Sequence, residues 1–155
     1  QGSNLSAGIP RLEQAIETHR PDRADFYYEL ARAYSKMSNY DADIRWCEEA
    51  LRRDPGFVPA LKELAAAATA TGRLAQAAQA LEKAVALRPG DGDAFADLGN
   101  VYLQQDRVDE AQRALQQAAH GRLVRRGRKC RGEQRRRSQQ SHGHHRIPLR
   151  FFVYR

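Results

Sequence analysis

The chain has 155 residues, 41% of them hydrophobic and 29% charged, with a formal net charge of +7. That is room for one ordinary domain or a short repeat array, and no apolar run approaches the ~18 residues that a membrane-spanning helix needs. The charge is unevenly placed: residues 1–119 hold 14 Lys+Arg against 18 Asp+Glu, a balance of −4, and residues 120–155 hold 12 against 1, a balance of +11.

Any nucleic-acid reading must therefore rest on the C-terminal segment alone. Cys47 and Cys130 lie in stretches of unlike character, so they form no disulfide framework and leave the redox compartment undecided, with the cytoplasm favoured. The chain opens on Gln1 and not on Met, and the expectation is that its true start lies upstream.

Gly8, Leu12 and Ala15 have the spacing of the second helix of a hairpin, which predicts a helix over 7–19 as the surviving half of a truncated unit at 1–23. From residue 24 the chain repeats at a shift of 34. Tyr27, Leu61 and Phe95 form one column of large apolar residues, and Leu30, Leu64 and Leu98 form the next. The small residues Ala31, Ala65 and Gly99 follow, then Tyr34, Ala68 and Tyr102, then Tyr40, Leu74 and Val108. Cys47, Leu81 and Leu115 and finally Ala50, Ala84 and Ala118 complete the unit. Apolar steps of three and four within each unit predict two helices apiece, near 24–37 and 40–53, 58–71 and 74–87, and 92–105 and 108–120. Pro59 suits a first helical turn, Gly72 can stop a helix in the left-handed conformation, and Asp91 can cap the helix after it. Pro55-Gly56 and Pro89-Gly90 break the chain between units.

The order of a bulky apolar residue, Leu-small, Tyr, Ala, a large residue, Ala and Pro resembles the tetratricopeptide repeat over residues 24–119. Phe95, Leu98-Gly99, Tyr102, Ala111, Leu115 and Ala118 carry the pattern almost completely, and Leu61, Leu64-Ala65, Gly72, Ala77, Leu81, Ala84 and Pro89 nearly as well. The resemblance implies an all-α fold of tandem antiparallel helical hairpins, a right-handed α-solenoid. It would hold about three full repeats (24–57, 58–91 and 92–120) after the partial one. Small residues in such a unit let its two helices approach, and each hairpin must stack on its neighbour to cover its apolar face. The chain reads as a segment of a longer array, whose ends are open to self-association.

Two positions depart from the pattern. Asp43 occupies the tight Ala slot of the first unit, with Ala42 one residue earlier. The expectation is a rotated helix that turns Ala42 and Trp46 inward, since a buried unpaired carboxylate is expensive; the alternative is a hydrogen bond to Asp43 in place. In the third unit Leu123 stands where the closing Pro belongs, and the sequence changes character at His120.

Residues 121–155 keep no helical or strand period. Three readings compete for this basic tail: a disordered arm, which is placed first; a phosphate-contacting nucleic-acid arm; and a segment that is not native coding sequence. His142, His144 and His145 lack the ordered supporting ligands of a zinc site, so no metal is assigned. Cys130 among Arg125, Arg126, Arg128, Lys129 and Arg131 favours its thiolate but has no evident base. Cys47 and Trp46 read as packing residues. Glu48-Glu49 and Asp109-Glu110 are adjacent in sequence and so diverge on a helix. No phosphate-binding Gly-rich loop is present, and neither Ser35 nor Ser38 has a His placed to activate it. No catalytic residue and no cofactor is assigned.

In the family, the first helices of successive hairpins line a concave groove. Carried over, the groove-facing slots are Asp25, Tyr28, Arg32, Ser35 and Lys36, then Lys62, Ala66 and Thr69, then Asp93, Ala96, Asn100 and Gln104, with Asp97 beside them. The slots of the Lys/Asn/Arg clamp by which some relatives grip a chaperone's C-terminal carboxylate hold Tyr28, Arg32, Glu63, Asp93 and Asp97, of which Arg32 alone has the right charge. The lining is expected to be polarised, basic at Arg32, Lys36 and Lys62 and acidic at Asp93 and Asp97. The resemblance implies a protein or peptide partner. The alternatives are nucleic-acid association through the Arg-rich tail and a regulatory segment of a larger enzyme.

Overall fold

The structure is a computed structural model that describes residues 3–121, with side chains from Gly8 onward. Among the described residues there are seven helices and no strand: α1 Ser3–His19, α2 Ala24–Lys36, α3 Tyr40–Arg53, α4 Val58–Ala70, α5 Leu74–Leu87, α6 Gly92–Gln104 and α7 at 108–121. The tail readings, including Cys130, His142, His144 and His145, lie outside the described residues. No described helix is long and apolar enough to cross a membrane.

The helices from residue 24 onward start where the 34-residue period puts them. Helices α2, α4 and α6 each stop one residue short of expectation, and a shared turn explains it. Ser38, Gly72 and Asp106, spaced 34 apart, all take the left-handed conformation, with φ of 58°, 74° and 59°. The next residue's N–H then reaches back into the helix end: Asn39 to the Tyr34 carbonyl at 3.0 Å, Arg73 to Ala68 at 2.7 Å and Arg107 to Tyr102 at 2.9 Å. This closure satisfies carbonyls that a helix end leaves open. Gly72 announced the turn in the sequence; Ser38 and Asp106 did not.

The starts are capped unevenly. Asn39 Oδ1 accepts from the Ala42 N–H at 3.3 Å, and Asp91 Oδ1 accepts from Asp93 and Ala94, both at 3.2 Å. Pro59 falls in the first turn of α4. Helix α1 begins four residues earlier than expected and runs through Pro10.

α2 pairs with α3 and α4 with α5 as hairpins; α3 packs on α4 and α5 on α6, so each unit covers the apolar face of the one before. The repeated columns form one continuous core with Leu30, Ala31, Cys47, Ala50, Leu61, Leu64, Ala65, Ala77, Leu81 and Ala84 buried. Tyrosines latch neighbouring helices: the Tyr34 hydroxyl donates to Glu13 of α1, and the Tyr102 hydroxyl donates to Glu82 of α5 at 2.7 Å. Burial and then the bond to a carboxylate push both phenols up to about 12. At the last described unit Ala111, Ala114 and Ala118 stay buried, but two larger members of the columns do not. Leu115 is 37% exposed and Val108 61%, whereas Leu81, in the Leu115 column one unit earlier, is 3% exposed.

The rotation expected around Asp43 does not occur. Asp43 is fully buried, in the slot that Ala77 and Ala111 fill in the later units, while Ala42 is only half-buried. The burial of Trp46 needs no rotation, because Ala80 and Ala114 are buried in its column too. The alternative holds instead: the Cys47 thiol donates to Asp43 Oδ1 at 3.3 Å, one turn along α3. The other oxygen, Oδ2, has no partner among the described residues. Burial, with Glu63 adding to it and Cys47 and Ser35 opposing, pushes this carboxyl up to about 6.

Candidate functional site

Two of the hairpins' first helices, α4 and α6, flank a recess of about 300 Å³. Lys62, Ala65, Ala66 and Thr69 line it from α4, and Asp97, Asn100, Val101 and Gln104 from α6, over Leu81 of α5. The spacings 62-66-69 and 97-100-104 are helical steps of three and four, so each helix presents one face to the gap. Ala65 and Ala66 are small, which leaves the floor open.

Of the slots named from the sequence, Lys62, Ala66, Thr69, Asp97, Asn100 and Gln104 meet in this one recess. Asp25, Tyr28, Arg32, Ser35 and Lys36 belong to α2, Asp93 and Ala96 to α6, and none of them is part of its lining.

The charges differ from the expected polarity in one respect. The Lys62 ammonium is held 3.2 Å from Asp91 Oδ2. Lys62 is thus turned toward the third unit instead of extending the basic end. Burial raises the Asp91 carboxyl, but hydrogen bonds from Ala94, Lys62 and Asp93 outweigh it and hold the group below its ordinary value. The Asp97 carboxyl is raised, by burial first and by Asp93 and Asp91, with Lys62 opposing. Lys62 thus faces Asp91 and Asp97, and Asp93 adds its charge beside Asp97, so this end of the inner face is acidic. Sequence reasoning missed Asp91 as a site residue because its capping role already accounted for it.

The α2 portion is aromatic and cationic. Tyr28 meets Phe57 edge-on, with centroids 5.4 Å apart and planes at 83°. The Arg32 guanidinium lies 5.7 Å from the centroid of Tyr28 and 3.3 Å from Glu29. Burial raises the Tyr28 phenol against the opposing charge of Arg32. Asp25 is paired with Arg23, and Lys36 is exposed at the end of α2.

The chemistry on offer is recognition. Asn100 and Gln104 each carry a donor and an acceptor able to bond a peptide backbone, and the Thr69 hydroxyl, which donates to Ala65 O at 2.7 Å, keeps lone pairs to accept with. Cys47 is buried, with its thiol pushed up by burial and by Asp43, so it offers no thiolate. Among the described residues no cluster of three or more His, Cys, Asp or Glu side chains could hold a metal ion.

Stacked antiparallel hairpins with alternate helices lining one face define a helical-repeat solenoid. Sequence models of the tetratricopeptide repeat match residues 1–56 and 68–121, and the chain belongs to the tetratricopeptide-repeat family, a family of protein-interaction scaffolds. The fold is similar to the crystal structure of MamA, with a TM-score of 0.74 and 21% identity over 79% of this chain and 71% of that one. A second MamA crystal structure gives 0.71 and 22% over 76% and 63%. YrrB, described as a TPR protein with an unusual peptide-binding site, gives 0.69 and 18% over 77% and 61%. At these identities the likeness is one of fold. No curated protein matches the sequence.

Proposed function

We propose that the chain binds a segment of a partner protein along its inner face, as an extended or helical peptide seated between α4 and α6 and reaching α2. The observation that carries this reading is the convergence of Thr69, Asp97, Asn100 and Gln104 on one open recess that the small Ala65 and Ala66 border. A peptide needs backbone hydrogen-bond partners and an apolar anchor, and the side-chain amides and Tyr28 offer both. The peptide-binding site named for YrrB, a protein of the same fold, is in keeping with it.

Charge selects the ligand. The acidic group at Asp91, Asp93 and Asp97 favours a Lys or Arg over α6, and Arg32 and Lys36 favour an acidic residue over α2. Such complementarity mainly raises the association rate and excludes wrong partners. Lys62→Glu would disturb the capping Asp91, so Asp97→Lys is the cleaner charge reversal. The test is capture of partners by the wild type, by Asp97→Lys combined with Asn100→Ala, and by a chain ending at His120. The groove reading expects partners lost with the double variant at unchanged helicity and retained by the shortened chain. Partners that survive the double variant and vanish with the tail would instead make the basic segment the functional element.

A further inference from the structure

The opposite face of the array carries a second recess, of about 560 Å³, between the end of α1 and α3. Its floor is aromatic: Tyr27 and Trp46 lie with ring centroids 6.2 Å apart. Arg20, Arg45, Arg52 and Arg53 line it against Glu17 and Glu49, a balance of +2. The Arg45 guanidinium sits 5.2 Å from the Trp46 centroid and that of Arg53 sits 5.1 Å from Tyr27, whose hydroxyl accepts from Arg53 at 3.1 Å. Glu49 is shared by Arg52 and Arg53, and Glu13 reaches Arg45 only at 3.8 Å. Each guanidinium has five N–H donors, so these pairings leave many of them open.

The repeat supplies its own control. The corresponding recess one unit on, between α3 and α5, is smaller, about 350 Å³, and its lining includes Leu61, Ala80, Gln79 and Lys83. At the shift of 34, Tyr27 becomes Leu61, Trp46 becomes Ala80, and Arg45, Arg52 and Arg53 become Gln79, Ala86 and Leu87. Arg52 borders both recesses, but the second has no aromatic residue in its lining and none of the other three arginines, so stacking of hairpins does not require the Tyr27–Trp46 pair or the arginine cluster. The floor also holds an unexplained donor: Trp46 is 8% exposed, and its indole N–H has no acceptor among the described residues. Buried donors are nearly always paired.

We propose that this outer recess is a binding site for an acidic segment of a partner protein, with an apolar side chain on Tyr27 and Trp46 and carboxylates on the arginines. Its volume falls within the range of ligand sites, and planar guanidinium groups already stacked on rings are ordered to receive a planar carboxylate. The site is distinct from the inner groove and does not depend on it.

Trp46 is the only tryptophan of the chain, so its emission reports on this recess directly. The full chain is titrated with a peptide of alternating Glu and Leu, which has no fluorophore, and separately with inorganic phosphate. The expected result is a saturable change in Trp46 emission with the peptide. Arg45→Glu with Arg52→Glu should weaken that response about tenfold or more, and Lys83→Glu should leave it unchanged. Both arginine side chains are 68% exposed, and Arg45→Gln with Arg52→Gln repeats the test without adding acid beside Glu49. The proposal is overturned if Trp46 does not respond, if neither arginine double variant weakens the response, or if phosphate reproduces it at equal concentration.

Discussion

At the scale of residues, Asp43 ties stability to pH. The folded chain holds its proton up to about pH 6, whereas an unfolded chain releases it near the ordinary aspartate value, about 4. The neutral carboxyl's contribution is therefore full below about pH 4 and is lost as the pH rises through 6. Asp43→Ala should stabilise the protein at pH 7.5 by about 1–2 kcal/mol, because Ala already fills this slot in the other units. The same variant should flatten the decline in urea midpoint between pH 4.5 and 7.5; parallel midpoint curves for the two proteins would refute the assignment. Ser38 is a smaller case. A non-glycine residue with φ of 58° is strained, and Ser38→Gly should raise stability by about 0.5–1 kcal/mol, read as a higher melting temperature.

At the scale of elements, the helices were legible and their ends were not. A 34-residue period fixes which faces are buried, and the columns of Leu30, Leu64 and Leu98 had no other use. The left-handed turn was visible only where Gly72 marks it, since Ser38 and Asp106 give no compositional signal. Lining positions such as Asn100 and Gln104 followed from the family's register. The Lys62–Asp91 pair did not, because it joins side chains 29 residues apart across two helices. That pair makes α6 testable. Asp91→Ala removes two cap bonds and an ion pair, and should cost about 1–2 kcal/mol, checked by chemical denaturation. Its depressed carboxyl contributes stability present above about pH 4 and lost as the pH falls through the folded value, so the difference between variant and wild type should shrink in acid.

At the scale of the molecule, what a residue contributes depends on how many units lie beyond it. Leu81 and Leu115 share a column, but the first is 3% exposed, whereas the second packs on Gly99 of α6 and remains 37% exposed. Leu81→Ala should cost about 2–5 kcal/mol and Leu115→Ala about 1–2 kcal/mol, compared by urea midpoints. Equal losses would mean that something covers the last unit. The sequence pattern cannot distinguish these two leucines, because burial here is a property of neighbouring units and not of the residue's own helix.

The turns at Ser38, Gly72 and Asp106 have a consequence for how such a chain can change length. Because closure recurs at one phase of the unit, excising 34 consecutive residues leaves every later side chain in a slot of its own kind, with one hairpin fewer. Excising 33 would advance every later position by one residue, about 100° around its helix, and turn the buried stripe toward water. Whole-unit gains and losses are then nearly silent for folding, fractional ones are lethal to it, and the number of hairpins becomes the one dimension in which this chain is free to drift.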